Sequence, residues 1–511
     1  MASRKNLSRR SSDSFILSKK RKIENETLED CISELPDGFL IQMLSLLPTK
    51  DAVASSLLSK RWRNLWTPIH SFYFSNANYI DVRKFKSFVD NALIHSTSTE
   101  IKKFVLDLRT TLWQPKLWIS DSKISQWIDF AVGKEVQDVA IYAQPYHSHF
   151  SYELPQSMYT CSSLITLTLT NWVFHKRLNI AWNSLKSLTL HLTSLDDDDV
   201  VKLLSSCPAL EAMELSSCDK FRSLKITSNL KRLTLSNHLL PDVQGNEVLE
   251  IDAPHLKHLD ISGDLGELKC RLVNVSSLVI ASLTFRDMCI TVGKRESEID
   301  EDECPSYHEA TRNLVLDYLE KLSNVTELII GSWFAEVVFM LRLESVILPK
   351  LRCKCLTLKL GVSKSNMYGI ASLLQNLPRL ESLNIHIKSE IYNDSSCEHV
   401  QSYLDKVNDI NFWRWIQNPL FPNLKNVKIV GCVGECIRMW SRMGFCKLFK
   451  FLKFLLKNAK ALQKLVIVAE RRTCIFCSES CVSRHLLKLA EKMLSTPRSS
   501  GNLVISYQEI A

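Results

Sequence analysis

The chain has 511 residues, 45% hydrophobic and 23% charged, with a formal net charge of +9; that apolar content can bury a large core and excludes disorder over most of the length. The charge is local: Arg4, Lys5, Arg9, Arg10, Lys19, Lys20, Arg21 and Lys22 against Asp13 give the first 22 residues a net +7 and leave about +2 for the rest, which excludes a phosphate-backbone footprint on the body of the molecule. "LFKFLKFLLKNAKALQKLVIV" is broken by Lys450, Lys453, Lys457, Lys460 and Lys464 before it reaches the roughly twenty apolar residues of a membrane span, so no membrane and no nucleic-acid partner is expected.

Residues 1–29 read as a disordered basic tail with no apolar segment of a secretory signal. Arg9-Arg10, a gap of eight, then Lys19 to Lys22 is either a bipartite nuclear-localisation spelling or a solvated arm, which puts the chain in nucleus and/or cytoplasm. In such a compartment the sixteen cysteines should be mostly reduced thiols, buried as small hydrophobes.

Residues 30–75 form a short helical unit. "LPDGFLIQMLSLLP" places Leu40, Ile41, Leu44 and Leu47 at helical spacing and closes on Pro48. Thr49 is expected to cap a second helix, "KDAVASSLL", and Ser59 a third, "KRWRNLW". On that third helix Leu58, Trp62, Leu65 and Trp66 would form one stripe, with Lys60, Arg61 and Arg63 off it. Three helices of about 35 residues cannot bury so many large side chains among themselves, so a partner or the chain's own repeats must cover part of the stripe. Tryptophan is a favoured interface anchor. Nucleic-acid binding through "KRWR" is not encouraged by a body so nearly neutral.

Residues 76–415 read as repeats. The phrase apolar-x-x-apolar-x-apolar begins at Ile101, Val136, Leu164, Leu185, Leu210, Leu230, Leu256, Val275, Val325, Leu380, Leu424 and Leu462, the last two beyond that boundary. From Leu164 to Val275 it advances by 21, 25, 20, 26 and 19 residues, the spacing of leucine-rich repeats. Later gaps widen, and a further unit is expected within Leu348 to Leu360. Alternating apolar residues suit strands with one buried face, and stacking parallel neighbours makes that face a continuous core. The expected fold class is α/β: a leucine-rich-repeat solenoid, a horseshoe of parallel strands with outer helices or irregular returns, preceded by the helical unit. "DDDDVVKLLSSCPAL" spells one helical return, with Asp196 to Asp199 at its start and Pro208 beyond its end; the aspartates lack the spacing of a calcium loop. "GKRESEIDEDECPSYHE" (residues 293–309) reads as an exposed insertion loop. Residues between the buried apolars, Thr166, Thr168, Ser187, Thr189, His191, Arg232, Thr234, His258 and Asp260, would line the open face, as target contacts or as a merely solvated surface.

No phosphate loop, dinucleotide fingerprint, zincin motif or nucleophile elbow is spelled, so no catalytic residue and no cofactor is expected and the chain does not read as an enzyme. Cys474, Cys477, Cys481 and His485 have zinc-ligand types, but one continuous run reads more naturally as a cysteine-rich connector than as two separated knuckles.

"ISELPDGFLIQMLSLLPTKDAVASSLLSKRWRNLW" (residues 32–66) closely resembles an F-box in the form common in plants, with its Leu-Pro opening, "LPTKDAV" joint and "LSKRWRNLW" close. From residue 416 to 511, "FPNLKNVKIVGCVG", "FLKFLLKNAKALQKLVIV" and "LLKLAEKMLSTPRSSGNLVISY" resemble the FBD-type tail that accompanies such F-box and leucine-rich-repeat proteins, here closing the solenoid. The resemblance implies a non-catalytic substrate receptor of a Skp–cullin–F-box ubiquitin ligase, bound to a Skp-type adaptor, through it to a cullin scaffold, and to an unknown target protein. The implied adaptor contacts are Leu35, Pro36, Leu40, Ile41, Leu44, Leu47, Pro48, Val53, Leu57, Leu58, Trp62 and Trp66. The alternative is a leucine-rich-repeat scaffold acting without cullin.

Overall fold

The computed structural model describes residues 32–510 apart from 33, 78, 80, 110–118, 144–151, 175–178, 219, 238–247, 265–268, 287–302, 361–363, 388–420, 432–441, 471–472, 474–477 and 479. The basic tail and the acidic part of the insertion, residues 293–302, lie outside the described residues.

The helical unit holds α1 (Asp37–Leu44), α2 (Thr49–Ala54) and two 3-10 turns, Ser55–Leu57 and Trp62–Asn64. The expected third α-helix is thus a set of tight turns. A 3-10 turn repeats every three residues, so Trp62 and Leu65 share the buried side while Leu58 faces out and the expected stripe divides. Thr49 lies inside α2, with Pro48 at the cap; proline suits the start of a helix because its missing N–H has no partner to lose there.

Strands follow at β1 (Ser71–Ser75), β2 (Lys103–Asp107), β3 (Asp138–Tyr142), β4 (Tyr152–Glu153), β5 (Thr166–Thr170), β6 (Trp172–Val173), β7 (Ser187–His191), β8 (Ala212–Ser216), β9 (Ser223–Lys225) and β10 (Arg232–Ser236). The series continues with β11 (Val248–Asp252), β12 (His258–Asp264), β13 (Lys269–Asn274), β14 (Ile280–Arg286), β15 (Glu327–Gly331), β16 (Cys355–Leu360), β17 (Ser382–Ile387), β18 (Asn426–Gly431), β19 (Lys464–Glu470) and β20 (Val504–Ile510). Fifteen of them make one sheet, ordered β1-β2-β3-β5-β7-β8-β10-β12-β14-β15-β16-β17-β18-β19-β20, and every neighbouring pair is parallel. The repeat phrase puts alternate residues, such as Leu167, Leu188, Met213, Leu233 and Leu259, in one buried row across this sheet. That row belongs to a single core running from Leu40 to Leu503.

The returns differ from expectation. Helices α3 (Val82–Ile94), α4 (Asp121–Val132), α5 (Gln156–Tyr159), α6 (Asp197–Ser206), α7 (Glu303–Lys321), α8 (Ser332–Leu343), α9 (Lys364–Leu374), α10 (Arg442–Asn458) and α11 (Cys481–Leu494) carry some of them. Elsewhere the return is itself a strand: β13-β11-β9 and β4-β6 form two smaller parallel sheets. A short strand spans its repeat in few residues, which accounts for the tightest spacings read from sequence through β6 and β9, 21 after Leu164 and 20 after Leu210. Residues 303–309, expected in the insertion loop, begin α7. The phrase read at Val275 is out by three, because the register pairs Leu259 with Ala281 and Ile261 with Leu283; an alanine in a leucine position hid the true unit.

The repeats of β5, β7, β8 and β10 each turn their corner through a left-handed residue just after the strand: Asn171 (φ 63°), Leu192 (φ 52°), Ser217 (φ 51°) and Asn237 (φ 50°). Gly263 (φ 80°) takes the next such place in the register, where a Cβ would come 2.1 Å from the Asn237 Oδ1. The corner N–H groups still donate to the neighbouring repeat, as Leu192 N does to Ser216 O at 2.9 Å, so the ladder continues around the bend.

Candidate functional site

Two surfaces carry the sequence-derived candidates: the helical unit and the open face of the large sheet. In α1 apolar residues occur on both sides. Leu40 and Leu44 turn inward and are fully or almost fully buried, and with Ala52, Trp62 and Leu65 they join Ile69 and Phe72 in the chain's own core. Leu35, Ile41, Val53 and Trp66 are half-buried, while Pro36, Leu47, Pro48, Leu57 and Leu58 are exposed. The structure therefore covers Leu40, Leu44 and Trp62 from within, removing them from the surface, because the helical unit uses its inner side to cap the sheet.

That cap is hydrogen-bonded as well as apolar. The buried Thr49 Oγ1 accepts from the backbone N–H of Tyr73 at 2.8 Å, and Ser45 Oγ accepts from His70 N at 3.3 Å. An edge strand otherwise presents such donors to solvent. Arg61 holds the other side: its Nε donates to Asp37 Oδ1 at 2.9 Å and its terminal nitrogen to the Leu35 carbonyl at 2.5 Å. The central cation of "KRWR" is thus a brace between the last turn and the start of α1.

Phe39 and Met43 on α1, Leu46 in the turn that follows, and Leu47, Leu57 and Leu58 are exposed apolar side chains, with Leu57 88%, Leu46 86% and Leu58 69% accessible. Burial of such a side chain on a partner stabilises by about 1.5–3 kcal/mol. Phe39, Met43 and Leu46 were missed by the sequence reading although they too fall at i, i+4 and i+7. A helix apolar on two faces gives periodicity no means to say which face is inward.

On the open face the register sets Thr168, Thr189, Glu214, Thr234 and Asp260 side by side, and Thr166, Ser187, Ala212, Arg232 and His258 in the adjacent row. His191 lies one row further, beside Thr170 and Ser216. All nine expected residues thus share one face, half-buried except for the exposed Arg232. Glu214 belongs with them and sits in the same between-leucine position of its phrase. Near the capped edge, Arg109 makes a two-pronged pair with Asp107 (2.9 Å on each arm) and stacks 4.5 Å above the Tyr142 ring. The Asp107 hydrogen bond raises its pKa.

Of the zinc-ligand types, Cys474 and Cys477 lie outside the described residues; Cys481 is buried at the start of α11, and His485 Nδ1 lies 3.1 Å from the Cys481 carbonyl. Among the described residues no group of three or more His, Cys, Asp or Glu could hold a metal ion, and no helix is long and apolar enough to cross a membrane.

Residues 32–72 match the family model of the F-box domain, and residues 93–496 match the model described as At1g61320/AtMIF1, LRR domain. Among curated proteins of Arabidopsis thaliana, F-box/LRR-repeat protein At5g02910 is 31% identical over 453 residues, 86% of this chain and 88% of that one. F-box/LRR-repeat protein 13 is 28% identical over 490 residues (92% and 94%), and F-box/LRR-repeat protein At3g03360 is 29% identical over 386 residues (74% and 74%).

Proposed function

The chain belongs to the plant F-box/leucine-rich-repeat family, whose members are in general non-catalytic substrate adaptors, and from that premise we propose that it is the substrate-recognition subunit of a Skp–cullin–F-box ubiquitin ligase. In this reading the F-box docks to a Skp-type adaptor, the adaptor links it to a cullin scaffold, and the repeats hold the target. Raised effective concentration of the target is its whole contribution to ubiquitin transfer.

One observation carries the reading: an F-box that turns Leu40, Leu44 and Trp62 into its own core still presents Phe39, Met43, Leu46, Leu47, Leu57 and Leu58 to solvent. So many exposed apolar side chains in one short helical unit fit a protein interface. The exposed Pro36 and Pro48 and the half-buried Leu35, Ile41, Val53 and Trp66 are further proposed adaptor contacts, and the nine open-face residues are the proposed target contacts. The proposed division is a basic tail to residue 29, an F-box to 75, repeats to 415 and an FBD-like region thereafter, working in nucleus and/or cytoplasm.

The test is co-purification of the full chain with a Skp-type adaptor. Leu46→Ala, Leu57→Ala and Leu58→Ala together should reduce adaptor recovery at least tenfold without moving the melting temperature, since all three side chains are exposed. Equal recovery of adaptor by the triple variant and the native chain would overturn the docking assignment. The cullin step has its own readout: the target should persist when cullin activation is inhibited.

A further inference from the structure

The residue just before each strand forms a row of its own along one rim of the sheet, tied repeat to repeat by the backbone. Lys186 O accepts from Glu211 N, Glu211 O from Lys231 N, Lys231 O from Lys257 N, and Lys257 O from Val279 N, each at 2.9 Å. The same ladder runs on through Thr326, Lys354, Glu381 and Lys425. Two charged stretches therefore share one architecture.

They are not equivalent. In the second, Glu381 lies between Lys425 at 3.0 Å and Lys354 at 4.0 Å, so one carboxylate engages both neighbouring cations. In the first, Glu211 pairs with Lys231 at 3.1 Å, while Lys186 and Lys257 have no carboxylate partner among the described residues. His255 is exposed beside them, and Arg232 and His258 begin the adjacent strands. The rim here opens into a cleft of about 440 Å³, with Pro208 and Ala209 as its apolar part and Asn229 and Ser277 as further donors.

We propose that this rim cleft, spanning β7 to β12, binds a phosphoryl dianion carried on a short segment of a partner protein, a phosphoserine or phosphothreonine. Unpaired ammonium groups lining a concavity with one internal carboxylate leave a local surplus of positive charge, and a phosphate of about −1.5 to −2 with three acceptor oxygens fits it. Length argues against a polynucleotide. At about 4.8 Å per strand the four charged positions cover only about 14 Å, and the row is uncharged on both sides, with Gln137 and Ile165 before it and Val279 and Thr326 after it. The proposal deepens the target-binding reading, naming a recognised group and placing it on the rim beside the open face.

The full chain is presented with an immobilised degenerate eight-residue peptide library carrying a central phosphoserine, with the unphosphorylated library in parallel. Retention on the phosphorylated library should exceed that on the other at least tenfold and fall with added inorganic phosphate. Lys186→Ala with Lys257→Ala should abolish the difference, because both side chains are exposed and neither leaves a carboxylate unpaired. Lys428→Ala with Lys464→Ala, an equal charge change elsewhere on the sheet, should preserve it. Equal loss in both double variants, retention without phosphate preference, saturable binding of inorganic phosphate with no retention on the phosphorylated library, or preferential binding of a single-stranded RNA oligomer would each overturn the proposal. Adaptor recovery, measured on the same variants, should not change, so failure of the cleft and failure of the docking reading are read separately.

Discussion

Leu192 stands where its repeat requires a left-handed backbone, and it is the only branched apolar residue among the corner positions Asn171, Leu192, Ser217, Asn237 and Gly263. For an L-residue with a Cβ that conformation costs about 1–2 kcal/mol, while asparagine enters it with little penalty. Leu192 is 47% accessible, so its side chain contributes little burial in return. Leu192→Asn should therefore stabilise the chain by about 0.5–1 kcal/mol, seen as a higher denaturant midpoint with an unchanged slope; a lower midpoint would mean that the leucine packs on something that outweighs the backbone. Residues such as Asn171 and Asn237 could be read as corner residues from sequence, but Leu192 could not, because nothing in its side chain announces a positive φ.

At the scale of elements, the four aspartates at the start of α6 did announce their structure. Asp196 Oδ1 accepts from Asp199 N at 2.9 Å and Asp199 Oδ2 from Asp196 N at 3.1 Å, a reciprocal capping box. Asp197 adds a tie to the next return, accepting from Arg222 N and Ser223 N at 2.7 and 2.8 Å. Asp196→Ala should cost about 1 kcal/mol, measured as a lowered melting temperature; Asp198→Ala, at an exposed position, should leave it nearly unchanged. The shortest strand returns were illegible for a different reason: β9 has three residues and β4 and β6 two each, too few for any alternation to show. Strand β1 was missed although Ile69, Phe72 and Phe74 follow the repeat phrase, because the F-box resemblance already accounted for that stretch. The missing third F-box helix follows from propensity alone favouring a helix over "KRWRNLW", whereas capping the sheet edge needs the tighter turn that brings Trp62 and Leu65 to one side.

Across the whole molecule, thiols far apart in sequence lie in one continuous core. Burial pushes the pKa values of Cys207, Cys270 and Cys353 up to about 12 from 9.0. A thiol whose folded-state value is raised holds its proton more firmly when folded, so its contribution is complete below pH 9 and is lost as pH climbs from 9 towards 12. We expect a loss of ellipticity beginning in that window, with an onset that moves to higher pH when the three cysteines are replaced by alanine. An unmoved onset would assign the alkaline transition to other groups. Cysteines in a reducing compartment are expected from sequence as small buried hydrophobes; Cys353 heads its phrase, three residues before Leu356, which is why that unit was only partly legible.

The Thr49 hydroxyl on the Tyr73 amide has a mechanical consequence. It joins the F-box to the first strand of a sheet that is parallel throughout, so distance from the F-box is counted in strands. At about 4.8 Å each, β7 and β12 stand four and seven spacings from β1, about 19 and 34 Å along the sheet. The solenoid is thus a graduated ruler. A cargo seated on a given repeat is presented at a set reach, and adding or deleting one repeat between it and the F-box moves that reach by a single graduation without altering either end.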